Sequence, residues 1–311
     1  MTIYRLLFLV PILITLPAFS QPPQKPYDNS HFARPDSVTI HYRTWNGDLP
    51  NPKGKVLLIH GFCGSTFCWR NSFDTLVKSG YRVVAVDLPG FGYSERSATL
   101  NQSQSYRARL IWDLLTEIDG SDTTRWNIVG HSMGGGTAEA VALSEPGRTK
   151  SLTIVAGMVF VNNKDVNSVI VGLTNSKLYK SLLLSYMEHT YLSFKNFRKE
   201  LKSIYGYLPD TATVNEFLTP MSIDGSAETV INLIANAKEI QPLNAEGLND
   251  LNVLVIWGKK DKTIRLRNAK KLTRVAPNIE LKVIPDAYHI PMETNPEEFN
   301  PLLVNFLNRY N

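Results

Sequence analysis

Two cysteines in 311 residues are too few to staple a disulfide-built scaffold. Cys and His nowhere cluster at zinc-ligand spacing, so no metal site is expected. Charge is also sparse. Charged residues make up 20% of the chain and the formal net charge is +5, with the basic residues scattered rather than striped. That distribution argues against a nucleic-acid partner. The densest basic run, "RNAKKLTR", reads as the solvated face of a helix. The chain has no low-complexity tract, no repeat at a solenoid period, and no Gly-Lys-Ser/Thr phosphate loop or G-x-G-x-x-G turn.

A long membrane-spanning run is missing too. The most apolar stretch, Leu6 to Phe19, is short for a span and is broken by Pro11 and Pro17. It follows one early cation, Arg5, and Ala18 and Ser20 stand at the −3 and −1 positions of a cleavage site before Gln21. Residues 1–20 are therefore predicted to be a secretory signal peptide. The alternative is an uncleaved anchor. An exported protein follows, periplasmic or secreted, without stable membrane insertion after cleavage. Residues 21–36 read as an extended, Pro-rich lead-in with no core of its own. Export permits a Cys63–Cys68 bridge across a very short loop, and the bridged and free forms are both open.

What is present is alternation. "SVTIHYRTW", "KVLLIHGF", "YRVVAVDLPGFG", "RWNIVGH", "SLTIVAG", "NVLVIWGKKD" and "IELKVIPDAYH" read as strands, most of them continuous apolar runs of the kind buried on both faces. "SYRARLIWDLLTEI", "TAEAVALSEP", "IRLRNAKKLTRVAP" and "NPEEFNPLLVNFLNRY" read as helices between or after them. The expected fold is α/β: a mostly parallel central sheet with helices on both faces, over residues 37–161 and 246–311. Residues 162–245 break the alternation with "SKLYKSLLLSYMEHTYLSFKNFRKELKSIYGYL" and "SAETVINLIANAKEI". A segment that long is not a bare loop in a compact domain, so it is read as an inserted helical cap. Ligands should bind beyond the carboxyl ends of the strands.

One such end carries "NIVGHSMGGGT". Gly130-His131-Ser132-Met133-Gly134 fits G-x-S-x-G, a strand-to-helix turn that exposes a strained serine and needs small neighbours. Ser132 is the candidate nucleophile. A hydroxyl needs a base; of the six histidines, His289 lies at a strand's carboxyl end and follows the serine in chain order. The base needs a carboxylate to hold its tautomer. Asp261, ending "NVLVIWGKKD", fits this role by its place between serine and histidine. Asp286, in His289's own loop, is the runner-up. The N–H groups of Phe62 and Met133 are candidate oxyanion donors, although "HGFCGS" also fits a plain strand-ending turn.

These motifs, "HGFCGSTFCWR", "VVAVDLPGFGYSERS", "VGHSMGGG", "WGKKD" and "YHIPMETNPEEF", resemble the α/β-hydrolase superfamily in order and spacing over residues 37–311, apart from the cap. The resemblance implies an esterase- or lipase-like serine hydrolase with Ser132, His289 and Asp261 as triad, an oxyanion hole of the single-HG type, and structural roles for Asp87, Arg96 and Glu293. Dehalogenases and epoxide hydrolases of this fold carry Asp at the elbow, so Ser132 sets those reactions aside. Ester hydrolysis of small to medium apolar acyl groups is the expected reaction, with a small-molecule ester as substrate and no metal or organic cofactor. Amide or N-terminal peptide hydrolysis, carbon–carbon bond hydrolysis and perhydrolysis by the same triad are the alternatives, followed by a non-catalytic ligand-binding member of the fold.

Overall fold

A computed structural model describes residues 25–97, 99–121, 123–158, 176–235 and 247–310. The signal segment and both predicted edges of the cap lie outside them. Among the described residues, eight strands form one sheet: β1 Ser30–Ala33, β2 Ile40–Trp45, β3 Gly54–Ile59, β4 Tyr81–Val86, β5 Trp126–His131, β6 Thr149–Val155, β7 Val253–Gly258 and β8 Glu280–Ile284. Their spatial order is β1-β2-β4-β3-β5-β6-β7-β8. β2 runs against both its neighbours, and every pair from β4 to β8 is parallel. The fold is thus the α/β, mostly parallel sheet expected.

The central strands are apolar throughout because both faces are covered. In β3, Val56 and Leu58 pack in one cluster with Phe73 and Leu76 of α1 (Arg70–Lys78) and with Phe299, Leu303 and Phe306 of the C-terminal helix Pro296–Tyr310. Leu57 and Ile59 face the other way, toward Leu110 and Leu114 of α2 (Gln104–Asp119) and Ala138 and Val141 of α3 (Met133–Ser144). Side chains of a strand alternate, so one apolar run supplies both cores. The "RNAKKLTR" helix, Arg267–Val275, buries only Ala269 and Leu272, in keeping with a solvated basic face.

One boundary differs from expectation. The lead-in is not wholly apart from the core: Ser30–Ala33 pair with β2 in the register Ser30↔Arg43 to Ala33↔Ile40. An edge strand needs a neighbour's free backbone more than an apolar sequence of its own, so composition did not reveal it.

The inserted region is helical where described: α4 Lys177–Tyr186, a π-helical turn Met187–Tyr191, α5 Phe194–Tyr205, α6 Thr211–Met221 and α7 Ser226–Ala235. Its apolar residues join both cores, Met187, Val230 and Ile231 on one side and Phe197, Leu201 and Phe217 on the other. No helix among the described residues is long and apolar enough to cross a membrane.

Candidate active site

β5 ends at His131 and α3 begins at Met133, so Ser132 alone makes the turn between them. Its backbone stands at φ 52°, ψ −120°, a region that side-chain-bearing residues rarely occupy. The turn is held from three sides: Ser132 N–H donates to Val155 O at 2.9 Å, and its carbonyl accepts from Gly135 N at 2.9 Å and Met158 N at 2.8 Å. The glycines make the close approach possible. A Cβ built on Gly134 would lie 2.1 Å from the carbonyl oxygen of His60, so α3 starts directly beneath the loop after β3. The "GGG" run therefore serves packing.

Three residues from three strand ends meet here. His289 Nε2 stands 2.9 Å from Ser132 Oγ, and its Nδ1 stands 2.8 Å from Asp261 Oδ2. All three are buried. A carboxylate on Nδ1 fixes the proton there and leaves Nε2 with its lone pair toward the serine. Asp261 is itself held, since Oδ1 accepts the N–H groups of Thr263 at 2.8 Å and Ile264 at 3.0 Å. Asp286 is not part of this arrangement: it forms an exposed ion pair with Lys260 at 2.7 Å.

The two expected oxyanion donors flank the serine. Met133 is the first residue of α3, where helix N–H groups lack intrahelical partners. Phe62 follows Gly61, at which a built Cβ would lie 3.0 Å from Ser132 Cβ. The loop is pinned by His60, fully buried, whose Nε2 accepts from Leu88 N at 2.9 Å and whose Nδ1 donates to Gly61 O at 2.6 Å. Burial lowers the His60 pKa and keeps the ring neutral in that role. The Phe62 ring is 40% exposed and meets Phe91 edge-on, 5.8 Å between centroids.

The cysteines do not bridge. Both are free and buried, Cys63 in the core cluster of α2 and α3 and Cys68 in that of α1, so they belong to opposite faces of the sheet.

Asp87 and Arg96 act as struts. Asp87 accepts from Thr66 N, Tyr93 N and His41 Nδ1. Arg96 donates to Ser226 Oγ and Pro220 O, tying the loop after β4 to α6 and α7. Of the remaining contacts, only Glu293 carried a sequence signal, and its partners did not. His131 donates from Nε2 to His289 O at 2.9 Å, and His289 N–H donates to Ile204 O at 3.0 Å. Tyr205 Oη and Arg70 Nη1 both donate to Glu293 Oε2. Burial pushes the Glu293 carboxyl up to about 7 against the opposing pull of Arg70 and Tyr205. No group of three or more His, Cys, Asp or Glu able to hold a metal occurs among the described residues.

Set beside known proteins, the chain matches the profile of the α/β hydrolase fold family over residues 55–296. It is 29% identical over 282 residues to a 2-hydroxy-6-oxononadienedioate/2-hydroxy-6-oxononatrienedioate hydrolase of Paraburkholderia phymatum, covering 87% of this chain and 91% of that one. A meta-cleavage product hydrolase from Pseudomonas fluorescens superposes with a TM-score of 0.70 at 21% identity, over 90% of this chain and 98% of that one. A carboxylesterase of the thaumarchaeon Nitrososphaera gargenis does so with a TM-score of 0.68 at 22% identity, with the same coverage. The family and these relatives make the chain a hydrolase.

Proposed function

We propose that this chain, which belongs to the α/β hydrolase fold family, is a serine hydrolase that cleaves carboxylic esters of small to medium apolar acyl groups through an acyl-enzyme. The observation that carries this reading is the single line of contacts Asp261 Oδ2–His289–Ser132 Oγ, at 2.8 and 2.9 Å. His289 Nε2 takes the hydroxyl proton as Ser132 Oγ attacks the acyl carbon. The N–H groups of Phe62 and Met133 receive the developing oxyanion, and Asp261 stabilises the imidazolium. The proton passes to the departing alcohol, and water, activated by the same histidine, releases the acid. Exposed apolar side chains beside the serine support an apolar acyl group: Phe62 follows Gly61, which lies against Ser132, and Met158 donates its N–H to the Ser132 carbonyl.

A second reading is carbon–carbon bond hydrolysis, favoured by the activity of the Paraburkholderia relative. Both readings use Ser132, so substrates must separate them. The test has two stages. A fluorophosphonate should label wild type and leave Ser132→Ala unlabelled; an unlabelled wild type removes the serine-hydrolase reading. A panel of p-nitrophenyl esters of graded chain length, beside amino-acid p-nitroanilides and a 2-hydroxy-6-oxo-dienoate, should then give the highest kcat/KM with an ester. Faster turnover of the dienoate or an anilide would replace the ester reading. Export is part of the proposal, from Arg5, the Leu6–Phe19 run and the Ala18/Ser20 site. It is checked by whether mass spectrometry of the exported protein finds an N-terminus at Gln21.

A further inference from the structure

Arg107 of α2 is fully buried and has no carboxylate partner among the described residues. Its Nη2 donates to Gln102 Oε1, while Nε and Nη1 have no hydrogen-bond partner among the described residues. A guanidinium can only donate. Gln102 must therefore turn its oxygen toward Arg107, which leaves its own Nε2, also buried, as a donor without a partner. The hydroxyl of Thr229 on α7 is in the same condition, in a side chain that is 1% exposed.

These groups share one place. Gly90, in the loop after β4, has φ +89°, and a Cβ built on it would lie 2.2 Å from Thr229 Cγ2 and 3.2 Å from Gln102 Nε2. Gln102 Nε2 and the Thr229 side chain thus both lie against Gly90, where this loop and α7 of the inserted region pack together, and Arg107 of α2 is hydrogen-bonded to Gln102, so four unpartnered buried polar atoms are carried on three side chains linked at this place. Three of the four belong to groups that can only donate. Burial alone acts on Arg107, lowering its pKa to about 10, so it is cationic at neutral pH. His60 faces it at longer range; the positive charge of Arg107 works with burial to keep that imidazole neutral, so His60 adds no second positive charge. Buried polar atoms are paired in the great majority of cases, and a buried charge is costly unless balanced.

We propose that Arg107, Gln102 and Thr229 form a buried site for a small monovalent anion, a halide or a compact carboxylate such as formate, which joins α2 to α7. The donors set the sign of the ligand, and the single guanidinium sets its charge. Full burial sets its size, and neither sulfate nor a long-chain acid fits these conditions. Because Thr229 lies on the inserted region and Arg107 on the core, occupancy stabilises the seam between them. None of the three residues belongs to the candidate active site.

The test uses the full chain, desalted into sodium gluconate. Thermal unfolding is followed while chloride, bromide, formate or sulfate replaces gluconate at constant ionic strength. The expected result is a saturable rise of a few degrees with chloride, bromide or formate and none with sulfate, as binding to the folded state alone requires. A response to formate only identifies a carboxylate site, and a response to halide only a halide site; either supports the proposal. Thr229→Val should weaken the apparent affinity several-fold while ester turnover is unchanged, and Arg107→Gln should abolish the response. If Arg107→Gln does not fold, Thr229→Val and an anomalous bromide peak between the three side chains decide. Unfolding indifferent to every anion, or a response undiminished in Thr229→Val, overturns the proposal and leaves water as the partner of these groups.

Discussion

The backbone N–H of His289 donates to the carbonyl of Ile204 across 3.0 Å, so the loop that carries the candidate general base hangs on the end of α5. The next residue of α5, Tyr205, donates to Glu293, just beyond that histidine. Two consecutive residues of the inserted region therefore hold the loop that must present Nε2 to Ser132.

Tyr205→Phe should expose this dependence. Without the phenolic donor, the buried Glu293 carboxyl loses one of the groups that hold it down and moves above its present value of about 7. Its charged pairing with Arg70 then forms only at higher pH. We expect kcat/KM at pH 7 to fall by about three- to tenfold and the acid limb of the pH profile to move upward, with much of the loss recovered at pH 9. A variant with the wild-type profile at every pH would mean that Tyr205 contributes packing alone.

Asp261→Asn and Asp286→Asn form a matched pair. Asp261 sits against His289 Nδ1, and an amide there favours the wrong tautomer. A loss of roughly 10³- to 10⁴-fold in kcat is expected, with an unchanged fold by circular dichroism. Asp286 is spent on an exposed ion pair with Lys260, a kind of contact worth at most about 1 kcal/mol. Its variant should keep activity within about twofold. Reversed magnitudes would move the carboxylate role to Asp286.

Glu139, on α3, is buried with one carboxyl oxygen unpartnered, and burial raises its pKa from 4.5 to about 9. The unfolded chain gives up this proton near 4.5, whereas the folded chain keeps it to about 9. The group thus favours folding fully below pH 4.5, and that contribution is lost progressively as pH rises through this window. Glu139→Gln removes the titration. Its melting temperature should exceed that of wild type by about 3 °C or more at pH 8 and match it near pH 4. Equal melting temperatures at pH 8 would show that the carboxylate is solvated.

The cysteines should be inert in the folded protein. Both are buried, and burial pushes both thiols well above their ordinary pKa, leaving little thiolate to react. Native protein at pH 8 should take up less than about 0.1 equivalent of a thiol reagent in the time denatured protein takes up two. Non-reducing and reducing gels should coincide. Rapid modification of native protein would place a thiol at the surface.

The strands of the sheet were legible because a parallel strand buried on both faces must be apolar at every position, a pattern local enough to read in "KVLLI" or "NVLVIW". The turn at Ser132 was legible for the same reason: a sharp strand-to-helix turn needs small residues at fixed offsets, and Gly130 and Gly134 are both near in the chain. Chain order also singled out His289 and Asp261. Asp286 stood second by the same order, and the structure brings Asp261, not Asp286, to Nδ1.

Elsewhere the tertiary structure alone decided. Cys63 and Cys68 stand close in sequence, yet the backbone sends them to opposite faces of the sheet. Ser30–Ala33 gain their place from the free edge of β2. Ile204 and Tyr205 reach His289 and Glu293 across most of a domain's length of chain, and Gln102, which holds Arg107, meets the distant Thr229 at Gly90. The division follows from the range of the forces. Burial and backbone geometry act on a residue and its near neighbours, so they leave a periodic trace in the sequence. Hydrogen bonds and charges between inserted helices and the sheet depend on which distant groups packing brings within about 3 Å, and no local pattern encodes that.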